Sequence, residues 1–322
     1  MKAAVYYETG GPEVFRYEDV PDPVCDAGGV VIDVGVISIE GGDTLNRAGG
    51  GMAARPHIVG YQCAGVIRAV GEQVSDRKVG QRVVAVMMHG SHAARAAVPA
   101  RMTWVLPDGL DLKLGACVPI AVGTADDCLF EFGHLRTGET VLIHAGASGV
   151  GMAAIQLAKR AGATVLATAS SDAKIERLKA YGLDHGINYW VTDFGGAVQA
   201  LTQGRGADLI VDSVGGRTLE SSIAAAAYRG RISYVGSAGR DAYIPNPDAL
   251  RPGNKTLTGI FLGAELVLNH GRVHAMIQRH LQDVARGGLK IVIDRTFPLA
   301  EAAAAHTFIE SRQAFGRVVL IP

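Results

Sequence analysis

The sequence predicts an α/β protein: a doubly wound parallel sheet joined to a second, β-rich domain. Two textures carry that expectation. From about residue 123 to 261, apolar strand-length runs alternate with helical periodicity, as right-handed βαβ units require. From residue 1 to about 122 the pattern is short β runs broken by Gly and Pro, such as Val30–Val34, Gly65–Val70 and Arg82–Val86, with little helical periodicity.

The most informative stretch is Thr140 to Lys159. Val141-Leu142-Ile143 suits a parallel strand buried on both faces. The small-residue turn Gly146-Ala147-Ser148-Gly149-Val150-Gly151 follows, and Val150, Ala153, Ala154, Leu157 and Ala158 then mark one helical face. Strand, tight turn and helix make a phosphate cradle, because small residues let the backbone approach a pyrophosphate and a helix start offers unpaired N–H groups. Ser148 stands where the second Gly of G-x-G-x-x-G would be, so the fingerprint is imperfect.

Further strands are predicted at Thr164–Thr168, Gly186–Asn188, Ala207–Asp212, Arg231–Val235 and Thr256–Phe261, with helices at about 172–181, 194–201 and 219–227. After residue 262 a helix over 273–285, short strands at 291–294 and 297–299, an Ala-rich helix over 301–311 and a last strand, 317–321, are expected to return to the first domain. The formal net charge is zero and aromatics are 6%, which argues against nucleic acid as a partner. Cys25, Cys63, Cys117 and Cys128 form no C-x-x-C pair, and no apolar run is long enough for a membrane span. A cytoplasmic protein with free thiols is the expectation.

Gly60-Tyr61-Gln62-Cys63-Ala64-Gly65-Val66, Val79-Gly80-Gln81-Arg82-Val83, His144 to Gly151, Val211 to Gly216 and Phe315-Gly316-Arg317-Val318-Val319 stand in an order that resembles the zeta-crystallin-like quinone oxidoreductases of the medium-chain dehydrogenase/reductase superfamily. The resemblance covers essentially the whole chain. It implies a GroES-like catalytic domain from residues 1–122 and 262–322, a Rossmann NADP-binding domain over 123–261, and a cleft where they meet.

The cofactor reading follows from the second strand. An NAD site places Asp or Glu at its end, where this chain has Ala169. A small residue leaves room for a 2′-phosphate, with Ser170, Ser171 and Lys174 as donors and Tyr189 matching a position that contacts this phosphate in related reductases. NADPH is therefore expected over NADH. Asp172 is read as a helix cap rather than an acidic selector. Thr124, Ala147, Ser148, Gly149, Val150, Gly151, Val214, Gly236, Ser237, Phe261 and Arg317 complete the expected cofactor contacts.

The resemblance also shows what is missing. Aligned on Asp43, the positions of the zinc ligands in related alcohol dehydrogenases hold Glu40, Tyr61-Gln62 in place of His-Glu, and Val118 or Pro119. One carboxylate cannot hold a catalytic zinc, which needs about three protein ligands. Without a Lewis acid, hydride transfer suits an acceptor that delocalises its own negative charge, a quinone or an α,β-unsaturated carbonyl. Tyr61 and Asn46 are candidates to bond the acceptor oxygen, and Glu40 is expected to be protonated, turned away or paired, with Arg47 the nearest cation in sequence. His89 and His92 read as polar loop residues. Alternative readings are an enoyl-thioester reductase of the same superfamily and a non-enzymatic NADPH-binding structural protein. A homodimer through the sixth strand, Thr256–Phe261, is expected, since an apolar edge otherwise invites aggregation.

Overall fold

Alternating strands and helices can bury both faces of a parallel sheet only by winding the helices to either side, and the middle of this chain does so. The computed structural model describes residues 1–322 as two units, Met1–Ile120 with Asn269–Pro322, and Ala121–Leu268.

In the first unit, β1 (Lys2–Val5) pairs with β2 (Arg16–Asp19). β3 (Gly29–Ser38) is followed by helix α1 (Gly41–Gly49), then by β4 (Gln62–Val70), β5 (Arg82–Val86), β6 (Arg95–Pro99) and β7 (Thr103–Val105). After α2 (Leu112–Ala116), α3 (Pro119–Asp126) carries the chain into the second unit. There the elements are β8 (Thr140–Ile143), α4 (Gly149–Arg160), β9 (Thr164–Ala169), α5 (Asp172–Lys179), β10 (His185–Asn188) and α6 (Phe194–Leu201). They continue with β11 (Ala207–Asp212), α7 (Gly216–Ala225), β12 (Ala226–Tyr234), β13 (Thr256–Gly259) and α8 (Leu262–Leu268). The chain ends in the first unit with α9 (His270–Ala285), β14 (Ile293–Pro298), α10 (Ala302–Glu310) and β15 (Arg317–Ile321).

The second unit holds a six-stranded parallel sheet of order β10-β9-β8-β11-β12-β13. The direction of winding reverses between β8 and β11, the switch point outside whose carboxyl ends such sheets bind ligands. The first unit holds a seven-stranded sheet of order β14-β15-β3-β4-β5-β7, with β6 also on β3. β15 lies antiparallel to β3, so the last strand is sewn beside the first long one.

Three elements differ from the sequence expectation. The Gly-rich segment after β3 is a helix, α1, because Asp43 Oδ2 accepts the Glu40 N–H at 2.8 Å and closes its first turn. The Ala run expected to extend α7 to Ala227 instead starts β12, since Ala226 pairs with Ala207 of β11; sheet pairing overrides alanine's helix propensity. The two strands expected at 291–294 and 297–299 are one, β14, held in register by β15. No helix is long and apolar enough to cross a membrane.

His92 stands in the loop between β5 and β6, as expected, and its surroundings there add a pairing. It is fully buried, with its Nε2 3.1 Å from Nε2 of His306, also fully buried. One ring must donate and the other accept, so the accepting ring is neutral. Burial pushes His92 down to about 3 and, with His92 and Arg47 nearby, His306 well below the ordinary histidine range. A depressed histidine takes up its proton on unfolding, so stability is whole above pH ~6.5 and is lost as pH falls toward ~3. Each such proton contributes up to about 1.4 kcal/mol per pH unit. Urea titrations should therefore show wild-type stability falling between pH 6 and 4, with a shallower fall in His306→Phe; equal slopes would contradict the pairing.

Candidate active site and dinucleotide turns

The strand–turn–helix signal of the second unit is realised by close approach. Gly151, in the first turn of α4, has no room for a side chain: a Cβ there would stand 2.3 Å from the Ala145 carbonyl oxygen. Ser148 caps the helix, its Oγ accepting the Gly151 N–H at 3.1 Å. The N–H groups of Gly149 and Val150 lack acceptors within the helix by position, and their residues are partly exposed. Helix start, small residues and cap together suit a pyrophosphate.

Other expected cofactor residues gather at neighbouring carboxyl ends of the same sheet. Ser170 and Ser171 follow β9, and Tyr189 follows β10 with its N–H on the Ala169 carbonyl at 3.2 Å. The cap of α5 is Ser171, which accepts from Lys174 N at 3.3 Å, and not Asp172. Asp172 instead accepts from the Asn188 amide at 2.9 Å. Val214 follows β11, and its carbonyl accepts the Gly239 N–H at 3.0 Å, drawing the turn that contains Gly236 and Ser237 against it. Tyr234 Oη and Ser237 Oγ stand 2.6 Å apart. Gly215, at φ 74°, makes the left-handed step into α7. Ala147 is buried in the first of these turns, Thr124 lies buried on α3, and Phe261 is exposed after β13.

In the first unit the centre of interest is Glu40, 6% exposed. Its partner is Arg317 of β15, and not Arg47, which pairs with Glu310 of α10. Arg317 Nη1 donates to Glu40 Oε2 at 3.0 Å and Nη2 to the other carboxylate oxygen. Nη2 also donates to Ser38 Oγ at 2.6 Å and to the Ile39 carbonyl at 2.9 Å. These contacts occupy Arg317, a residue expected among those that meet the cofactor. Gln62 Nε2 also donates to Glu40, while its Oε1 accepts the Ile120 N–H at 3.1 Å. Burial raises the Glu40 carboxyl above the usual range and the Arg317 charge pulls it back; three donors converging on its two oxygens favour the carboxylate.

A zinc ion does not fit here. Both Glu40 oxygens are taken, Gln62 is turned onto Glu40, and no three His, Cys, Asp or Glu residues stand together to ligate a metal. Beside this pair the structure brings together Asn46 and Tyr61, with the Asn46 amide donating to Tyr61 Oη at 2.7 Å. The Tyr61 ring lies on Gly42, where a Cβ would come within 2.6 Å of it. Gly42 and Asn46 share one face of α1, a spacing that grips the ring at its edge and at its tip. Because the oxygen accepts from Asn46, the phenol hydrogen is free to point elsewhere. Burial, then the Asp43 and Glu40 carboxyls, push the Tyr61 phenol up, so it remains a proton-bearing donor at neutral pH.

Sequence reasoning missed Gln62 and the true partner of Glu40. The available signal was Arg317 itself, a charge opening the buried strand Arg-Val-Val-Leu-Ile, which demands a counter-charge. Removing one member of a buried ion pair leaves the other uncompensated, at about 3–5 kcal/mol. Glu40→Gln and Arg317→Met should each lose stability of that order in urea unfolding, and the double variant should lose clearly less than their sum; additivity would show that the two do not pair.

With this geometry in hand, comparison places the chain among known proteins. Residues 26–154 match the alcohol dehydrogenase GroES-like domain and residues 149–280 the family described as zinc-binding dehydrogenase. The chain is 31% identical to the 2-haloacrylate reductase of a Burkholderia species over 100% of this chain and 99% of that one. It is 33% identical to a Pseudomonas aeruginosa quinone oxidoreductase, covering 97% of each. The solved structure of Escherichia coli quinone oxidoreductase complexed with NADPH superposes with a TM-score of 0.94 at 26% identity, over 100% of both chains. The chain belongs to the zinc-independent quinone oxidoreductases of the medium-chain dehydrogenase/reductase superfamily.

Proposed function

We propose that this protein is an NADPH-dependent reductase of quinones or α,β-unsaturated carbonyls. The observation that carries the reading is the Glu40–Arg317 pair: the acidic group at the old metal position is already answered by a cation, and beside it stands a phenol that can donate a hydrogen bond. NADPH, when bound, supplies the hydride. The turns after β8, β9 and β11 hold its phosphates and ribose, with the Ala169-Ser170-Ser171 end accepting a 2′-phosphate where an acidic residue would repel it. Tyr61 donates a hydrogen bond to the acceptor oxygen, and Asn46 holds the phenol oxygen so that its hydrogen faces outward. That arrangement helps an enolate or a hydroquinone anion form, but it is too weak to carry the localised charge of a simple alkoxide.

NADPH oxidation should be followed with a quinone, an enone, a crotonyl thioester and a plain aldehyde. The quinone or enone should be turned over with NADPH favoured over NADH. A thioester preference would point to the enoyl-thioester reading, and silence with all four, NADPH still binding, to a non-enzymatic one. Tyr61→Phe should lower kcat for the enone by about 10²-fold, the usual contribution of a positioned proton donor, with less effect on a quinone. Unchanged enone turnover in that variant would remove Tyr61 from the reaction.

The same reading gives the exposed edge of β13 a second copy of the chain as its partner. Sedimentation velocity should report a dimer; a monomer at micromolar concentration would contradict it.

A further inference from the structure

Beneath the turns of the second unit runs a continuous line of buried hydrogen bonds that the proposed chemistry does not use. The Ala145 N–H donates to Thr168 Oγ1 at 3.2 Å, and Thr168 Oγ1 lies 3.1 Å from His144 Nδ1. Across the ring, His144 Nε2 lies 2.9 Å from Ser222 Oγ, which donates to Asp212 Oδ2 at 2.8 Å. Asp212 Oδ1 accepts the N–H groups of Val214 and Gly215, both at 2.9 Å. His144 and Thr168 are each 2% exposed, and Asp212 and Ser222 are fully buried.

Ser222 has one hydrogen, shared between Asp212 and the Thr218 carbonyl 2.9 Å away, so His144 Nε2 carries a hydrogen and donates to Ser222. In the neutral ring Nδ1 is then the acceptor, and Thr168, whose oxygen receives the Ala145 N–H, gives it its own hydrogen. Burial, opposed by Asp212, keeps the histidine below its ordinary range. Phe194 packs edge-on against the ring, with centroids 4.6 Å apart, and holds its plane.

The line starts in the turn after β8, touches the end of β9, and ends in the turn after β11. It therefore spans the switch point, and its two termini are backbone N–H groups of turns that an extended dinucleotide would have to touch together. We propose that His144 is a positioning residue that locks these three turns into one receptor for the whole cofactor. The proposal rests on the NADPH reading above. Cutting the line leaves each turn formed by its own backbone bonds, such as Gly146 N to the Thr168 carbonyl at 2.8 Å, but no longer fixes one turn against the next. A ligand spanning all three turns loses affinity, whereas a fragment seated on one does not.

Dissociation constants should be measured for NADPH, by dihydronicotinamide fluorescence, and for adenosine 2′-monophosphate, by calorimetry, whose one phosphate belongs to the end after β9. In His144→Leu and Ser222→Ala, NADPH should weaken about tenfold or more, the size expected for coupled contacts, while the monophosphate changes less than about twofold. His144→Gln, whose amide can still donate to Ser222, should recover most of the loss. Thr168→Val removes one hydroxyl at constant volume and carries the test if His144→Leu does not fold. Unchanged NADPH affinity in these variants, or equal weakening of both ligands, would overturn the proposal. Failure of the wild-type protein to bind NADPH would instead overturn the nucleotide reading beneath it.

Discussion

A carboxylate sealed from water needs a cation beside it, and in this protein that requirement ties the two ends of the chain together. Glu40 sits between β3 and α1, Arg317 opens the last strand, and their contact spans 277 residues of sequence. Through Gln62 the pair also reaches β4 and the Ile120 N–H at the entry to α3. A protein-borne guanidinium thus organises the segments around which related alcohol dehydrogenases arrange metal ligands. An ion pair fixes position but is a poor electrophile, because its charge is already answered. The chemistry open to such a site is narrowed accordingly.

The second unit meets a different demand, that of bringing backbone close to an anionic ligand. Small residues do this locally, as the 2.3 Å approach that a Cβ at Gly151 would make to the Ala145 carbonyl shows. Local fit within each turn does not fix one turn relative to another. The buried side chains from Thr168 to Asp212 do so, by hydrogen bonds whose donors and acceptors alternate without a break. In both units, buried polar groups set the geometry that apolar packing leaves free.

How much of this was legible in the sequence follows from the range of each interaction. The parallel sheet was readable because strand and helix periods are local, and β11 and β15 stand at the residues expected. The turn at Gly146–Gly151 was readable for the same reason. Helix α1 was hidden because Gly41, Gly42 and Gly49 resemble a loop; Gly42 is small because the Tyr61 ring rests on it. His92 is in the loop the sequence indicated, but its burial was hidden because its partner, His306, lies 214 residues away. Arg47, the nearest cation to Glu40 in sequence, was the wrong partner because α1 turns it toward α10. Long-range pairing of buried charges leaves no local trace beyond the charge itself.

The central claim is that conjugation in the acceptor, and not a metal on the protein, makes reduction possible. Its most direct test compares an enone with its saturated ketone, at equal NADPH, in protein treated with chelator and in protein supplied with zinc. The enone should be reduced at the same rate in both preparations and the saturated ketone far more slowly in either. Reduction of the ketone at a comparable rate, or enone activity that appears only with zinc, would contradict the account.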